Sequence, residues 1–172
     1  MGNGANKIFL HPGDFAFASD GSHLHTLLGS CVAITLWHPG RRMGGMCHFT
    51  LPRAPRSRDR GESPDGRYAD GALALFRRAT GEQGTALTEY QAKIFGGGNM
   101  MRRAGEDLED SIGTKNAGAA MELLMREGVE ILVAHVGEFG HRRIVFDTAT
   151  GEVWVRHQAP GGERLTALCG RA

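Results

Sequence analysis

Long apolar runs are missing from this chain. No stretch approaches the roughly 20 residues that a membrane-spanning helix needs, and the opening segment carries only Lys7 and scattered apolar residues, without the apolar core of a signal peptide. The expectation is a cytoplasmic protein that does not insert into a membrane. Charge of one sign is missing too. Twenty Lys and Arg against 19 Asp and Glu leave a net charge of +1 and a pI near 7.9, which gives no electrostatic case for nucleic acid or a membrane surface. Cysteine is scarce: three residues, an odd number, exclude a full disulfide framework and are expected to be free thiols in a reducing cytoplasm. Internal repeats and low-complexity tracts are absent. Gly96-Gly97-Gly98-Asn99 lacks a following Gly-Lys-Ser/Thr, so a phosphate-binding loop of the Walker type is excluded; a sharp turn packed close to the neighbourhood of Cys31 is expected instead.

What is present suits one domain with a sizeable core: 172 residues, of which 26 are glycines marking many turns and close backbone approaches. Short strands are expected at 7–11 and 14–18 around Pro12-Gly13, and another over 22–28. Residues 31–37 are apolar on both faces, as in a central strand, and 43–51 form its hairpin partner after the turn His38-Pro39-Gly40-Arg41-Arg42. Residues 1–6 and 53–67 are expected to be flexible; the second stretch leaves the strand that carries His48, as a lid or as a plain solvated excursion. Asp70 is expected to cap a helix to about Thr80, with Ala69, Ala72, Leu73 and Phe76 on its apolar face. A strand over 87–95 and a polar loop over 102–111 follow. Then come a second helix over 114–126, with Ala117, Ala120, Met121 and Leu124 on one face and Gly128 stopping it, and a buried strand at 129–136. A hairpin around Thr148-Ala149-Thr150-Gly151 and a last strand at 165–168 complete the chain. Two helices against largely antiparallel strands give an α+β or α/β layered domain.

Chemistry concentrates on Leu27-Leu28-Gly29-Ser30-Cys31-Val32-Ala33-Ile34, where a tight turn delivers Cys31 to the start of a buried strand. Met46-Cys47-His48-Phe49 brings an imidazole to the neighbouring strand. A thiol beside an imidazole is the minimal device for thiol-based acyl transfer, the ring taking the proton as sulfur attacks a carbonyl. Small residues at Gly29 and Ser30 allow an acyl group to approach, and the turn's N–H groups can cradle an oxyanion. The plainer alternatives are a buried structural cysteine and a core histidine. Alternation separates the thiols: Met46, His48 and Thr50 share one strand face, Cys47 and Phe49 the other, so Cys47 is expected to be packing if His48 faces Cys31. Zinc is disfavoured, because Cys47 and His48, adjacent on a strand, cannot converge with His23, His25 and Cys31, and the spacing matches no common zinc template. No cofactor is expected.

Leu27-Leu28-Gly29-Ser30-Cys31-Val32-Ala33 followed by Cys47-His48-Phe49-Thr50-Leu51-Pro52 resembles the chemoreceptor glutamine deamidase family, CheD. So do Gly66-Arg67-Tyr68-Ala69-Asp70, Lys93-Ile94-Phe95-Gly96-Gly97-Gly98-Asn99-Met100, Ile112-Gly113-Thr114-Lys115-Asn116 and Val145-Phe146-Asp147-Thr148-Ala149-Thr150-Gly151, in order along nearly the whole chain. The resemblance implies a compact α/β/α sandwich with a mixed sheet as one domain. It implies hydrolysis of glutamine side-chain amides on methyl-accepting chemotaxis receptors, with Cys31 as nucleophile and His48 as its proton partner. It further implies a threonine that orients the imidazole; Thr26 and its neighbour His25 face opposite sides of their strand, so one of them is expected to matter, and Thr26 is favoured because its hydroxyl can accept the imidazole N–H and donate to a backbone carbonyl at once. The rival reading is a non-catalytic adaptor that binds receptors or a CheC-type phosphatase, and a cysteine protease would share the chemistry. Cys31 is expected to be the low-pKa thiol, with Cys47 and Cys169 inert. One departure stands out: where the family usually has Gly-Gly-x-x-Gly-Arg, this chain has Gly137-Glu138-Phe139-Gly140-His141-Arg142.

Overall fold

A computed structural model describes residues 4–56, 61, 63–100, 107–159 and 162–168. Ten strands and two helices follow one another as β1 (Lys7–Phe9), β2 (Phe15–Ala18), β3 (His23–Leu28), β4 (Val32–His38), β5 (Met43–Phe49), α1 (Ala69–Glu82), β6 (Gln91–Gly96), α2 (Ile112–Arg126), β7 (Glu130–Val136), β8 (His141–Asp147), β9 (Val153–Ala159) and β10 (Gly162–Leu168). They form two five-stranded sheets, β1-β3-β8-β9-β10 and β2-β5-β4-β6-β7. Both are mixed: β1 pairs parallel to β3 and β6 parallel to β7, and the remaining neighbours are antiparallel.

The apolar patterning explains the layers. β4 carries apolar residues on both faces because it sits at the centre of its sheet with both faces covered. Val32, Ile34 and Leu36 join Cys47 and Phe49 in a core with Ala69, Leu73 and Phe76 of α1 and Ala117, Ala120 and Leu124 of α2. Ala33, Met46 and Phe95 turn the other way, into a second core with Leu24, Leu28, Ile144, Phe146 and Val155 of the first sheet. The α/β class and mixed sheets stand as expected. The order of layers is helices, sheet, sheet: both helices lie on one face of the β4 sheet, and the far layer is the second sheet, not a further helical layer.

Local differences have local causes. Asp70 does not cap α1: Tyr68 is the N-cap and contributes no side-chain bond, while the Asp70 carboxylate in the first turn accepts the N–H groups of Ala54 and Gly71. The strand expected from Leu87 starts at Gln91, because Leu87–Glu89 winds into a 3-10 turn closed by the Glu89 carboxylate on Ala86 N–H at 2.6 Å. Ser111 caps α2, its hydroxyl accepting Thr114 N–H at 3.2 Å. Within the stretch expected to be flexible, residues 57–60 and 62 lie outside the described residues, as do 1–3; its ends are tied, Thr50 and Leu51 both donating N–H to Arg67 O. Part of the 102–111 loop and Cys169 also lie outside the described residues. Among the described residues no helix is long and apolar enough to cross a membrane.

Candidate active site

Cys31 lies one residue before β4, half-buried against the inter-sheet core. The β4–β5 register sets Val32 opposite Phe49 and Ala33 opposite His48. Cys31 is thus diagonal to His48 on the same sheet face, a relation that brings Cα atoms to roughly 7–8 Å and longer side chains within reach. Cys47 belongs to the other face, wholly buried under the helices, with its thiol pushed up to about 12 by that burial. The alternation expected for β5 is therefore observed, and Cys47 and His48 cannot converge on one point.

Thr26 and His48 meet across the two sheets. Thr26 Oγ1 lies 2.7 Å from His48 Nδ1 and 2.8 Å from Leu10 O. A threonine hydroxyl has one hydrogen, and the carbonyl of Leu10 can only accept, so the Thr26 O–H goes to Leu10. The Thr26 oxygen must then accept from His48 Nδ1–H. That assignment leaves Nε2 without a proton, as a lone-pair base. Nε2 is buried and has no hydrogen-bond partner among the described residues. Burial lowers the imidazole to about 4, with the Asp14 carboxylate and the Leu10 carbonyl opposing in part, so the ring is neutral near pH 7. His25, one residue away, turns outward and lies against Phe9 with ring centroids 4.8 Å apart.

The expectation of a low-pKa Cys31 is corrected. Burial pushes the thiol upward, opposed only by its own backbone N–H. With a neutral imidazole beside it, the resting pair is thiol and imidazole, not thiolate and imidazolium. Acidity was hidden from the sequence because it depends on how deeply the fold buries both groups.

The turn that carries Cys31 is gripped by its neighbours. Gly97 N–H donates to Cys31 O at 2.8 Å and Gly98 N–H to Gly29 O at 2.9 Å. Gly96, at φ 107°, stands so close that a Cβ would lie 2.2 Å from Cys31 O. The glycine run is thus a backbone clamp on the thiol turn, as the sequence led us to expect. Asn116 of α2, to which the sequence assigns no role of its own, is fully buried, and its Nδ2 donates to Ser30 O at 3.0 Å and Thr50 O at 2.8 Å. A signal existed, since Gly113, Asn116, Ala117 and Ala120 fall at i, i+3, i+4 and i+7, which places a polar side chain on the buried stripe. A second buried polar group lies nearby. Arg142 is fully buried, its Nε donating to His135 Nδ1 at 2.8 Å and its Nη2 to Gly137 O at 2.6 Å.

Comparison with known proteins adds the last observation. The family described as CheD chemotactic sensory transduction matches residues 50–157, a span that begins just after His48. A probable chemoreceptor glutamine deamidase CheD of Pseudomonas savastanoi pv. phaseolicola is 45% identical over 156 residues, 90% of this chain and 86% of that protein. One from Pseudomonas fluorescens is 45% identical over 159 residues, 92% of this chain and 88% of that protein. A probable chemoreceptor glutamine deamidase CheD 3 of Dechloromonas aromatica is 42% identical over 151 residues, 87% and 86% of the two chains.

Proposed function

This chain belongs to the CheD family, and on that footing we propose that it is a chemoreceptor glutamine deamidase with Cys31 as nucleophile, His48 as proton carrier and Thr26 as the residue that orients the imidazole. The observation that carries the reading is the hydrogen-bond chain from His48 Nδ1 through Thr26 to Leu10 O, because it prepares Nε2 as a base on the face that Cys31 shares.

The chemistry follows from a neutral pair. As Cys31 Sγ attacks the glutamine amide carbon, its proton passes to His48 Nε2, and the carbonyl oxygen becomes an oxyanion. Thr26 holds Nδ1–H throughout, so the transient imidazolium keeps its orientation. Nε2–H then gives its proton to the amide nitrogen, the C–N bond breaks, and ammonia leaves a thioester on Cys31. Water attacks that thioester, giving its proton to Nε2; the C–S bond breaks, sulfur recovers the proton, and glutamate remains. The carboxylic acid so formed loses its proton to the ammonia released, and the sum is glutamine plus water giving glutamate plus ammonium. The receptor gains one negative charge and a carboxylate open to methylation. The reading puts the enzyme in the cytoplasm, where Cys31 stays reduced.

The test is peptide mass spectrometry of folded receptor incubated with wild type and with Cys31→Ala. Amide-to-acid conversion by wild type alone supports the reading. Binding of receptor, or of a CheC-type phosphatase, with every glutamine left intact by the wild type would replace the enzyme with an adaptor.

A further inference from the structure

Resting on the reading of Cys31 as nucleophile, we infer that Asn116 is the positioning residue of the oxyanion site: it turns the Ser30–Cys31 peptide so that the Cys31 N–H faces the developing oxyanion. Asn116 projects from α2, on the helix side of the β4 sheet, and its Nδ2 holds Ser30 O at 3.0 Å. The carbonyl of Ser30 and the N–H of Cys31 belong to one planar trans peptide and point in opposite directions. Drawing the carbonyl toward α2 therefore directs the N–H to the inter-sheet side. That is the side on which the Cys31 side chain packs, and on which Thr26 reaches His48.

The second Nδ2 bond, to Thr50 O at 2.8 Å, ties the thiol turn to the end of the strand bearing His48. With Gly98 N–H on Gly29 O and Gly97 N–H on Cys31 O, three successive carbonyls of the turn are held by donors outside it. The brace is itself tight: a Cβ at Gly113, one turn before Asn116, would lie 2.5 Å from Gly97 O. Only the middle of the three carbonyls depends on a side chain, and that is the one whose peptide carries the Cys31 N–H.

Asn116 leaves one polar atom unpaired and satisfies two others: its Oδ1 is buried with no partner among the described residues, while its Nδ2 holds the Ser30 and Thr50 carbonyls. The side chain is thus placed by what Nδ2 holds, at the turn that carries Cys31.

The test separates two reactions of one thiol. Acylation of Cys31 by p-nitrophenyl acetate passes through a tetrahedral oxyanion; alkylation by iodoacetamide is a displacement with none. Both rates are measured at Cys31 by mass spectrometry in wild type, Asn116→Leu and Asn116→Ala, with Cys31→Ala as the blank. Asn116→Leu keeps the branched shape without the amide, and Asn116→Ala supplies a second variant should the bulkier leucine perturb the fold; thermal melts qualify both. The expected result is acylation slowed about 10- to 100-fold, with alkylation changed less than about threefold, the size of effect that loss of an oriented oxyanion donor produces. Equal slowing of both reactions would make Asn116 a structural brace only, and no slowing of either would remove it from the site. Receptor deamidation by wild type is scored separately, so a failure of the deamidase reading leaves the acylation ratio to decide the role of Asn116.

Discussion

Replacing Thr26 by valine removes one oxygen and keeps the shape of the side chain. Two buried groups lose a partner: His48 Nδ1–H, now 2.7 Å from Thr26 Oγ1, and Leu10 O, now 2.8 Å from it. An orphaned buried polar group costs about 1–3 kcal/mol. A net destabilisation of about 2 kcal/mol is expected, equivalent to a fall of roughly 4–8 °C in Tm for a chain of this size. The effect on turnover has a separate origin. A hydrogen bond worth about 1–1.5 kcal/mol favours the Nδ1–H tautomer roughly tenfold, and loss of ring orientation adds to that. Receptor deamidation measured well below the melting range should therefore fall about 10- to 100-fold. His25→Ala, which removes an outward ring stacked on Phe9, should retain nearly full activity. Thr26→Val activity within twofold of wild type despite the lowered Tm, or an equal loss in His25→Ala, would refute the assignment of Thr26 as orienter.

Four further outcomes follow from the structure. Because burial holds His48 at about 4, kcat/KM should stay level from pH 7.5 to 5.5, where a base with an ordinary histidine pKa would lose about tenfold; pH–rate profiles decide. The same depression makes stability fall as pH drops: above about 6.5 the term is silent, and between 6.5 and about 4 the unfolded imidazole takes a proton that the folded one refuses, removing on the order of 3 kcal/mol, readable from urea melts across that window. Iodoacetamide in the folded protein should modify Cys31 well before the fully buried Cys47, and mass mapping that found Cys47 modified first would contradict the burial pattern. Glu138→Gly should stabilise by about 1 kcal/mol, since Glu138 adopts φ 60° where glycine carries no strain; an unchanged or lower Tm would mean that its contact with His157 at 3.4 Å outweighs the strain.

Period and alternation carried the sequence reading furthest. The two faces of β5, the split between Thr26 and His25 and the apolar stripes of both helices follow from side-chain geometry within one element, which a sequence displays directly. Glu138 stands at a left-handed position, φ 60°, something only backbone angles reveal. What stayed hidden depends on several elements at once. Asp70 is a good N-cap by type, yet its carboxylate serves the Ala54 loop, a partner sixteen residues away. The layer order rests on the pairing of β3 with β8, strands far apart in sequence. The acidity of Cys31 reflects burial contributed by both sheets, and the role of Asn116 appears only when α2 docks against the thiol turn.

The central claim, that receptor glutamine passes through a thioester on Cys31, is tested most directly by acid-quenching a single-turnover reaction between the wild-type enzyme and folded receptor and mapping the adduct by mass spectrometry. The account predicts a hydroxylamine-sensitive receptor–enzyme adduct whose acyl carbon derives from a glutamine side chain and whose sulfur is that of Cys31, with no adduct and no conversion in Cys31→Ala. An adduct on another residue, or glutamate formed by Cys31→Ala at the wild-type rate, would contradict it.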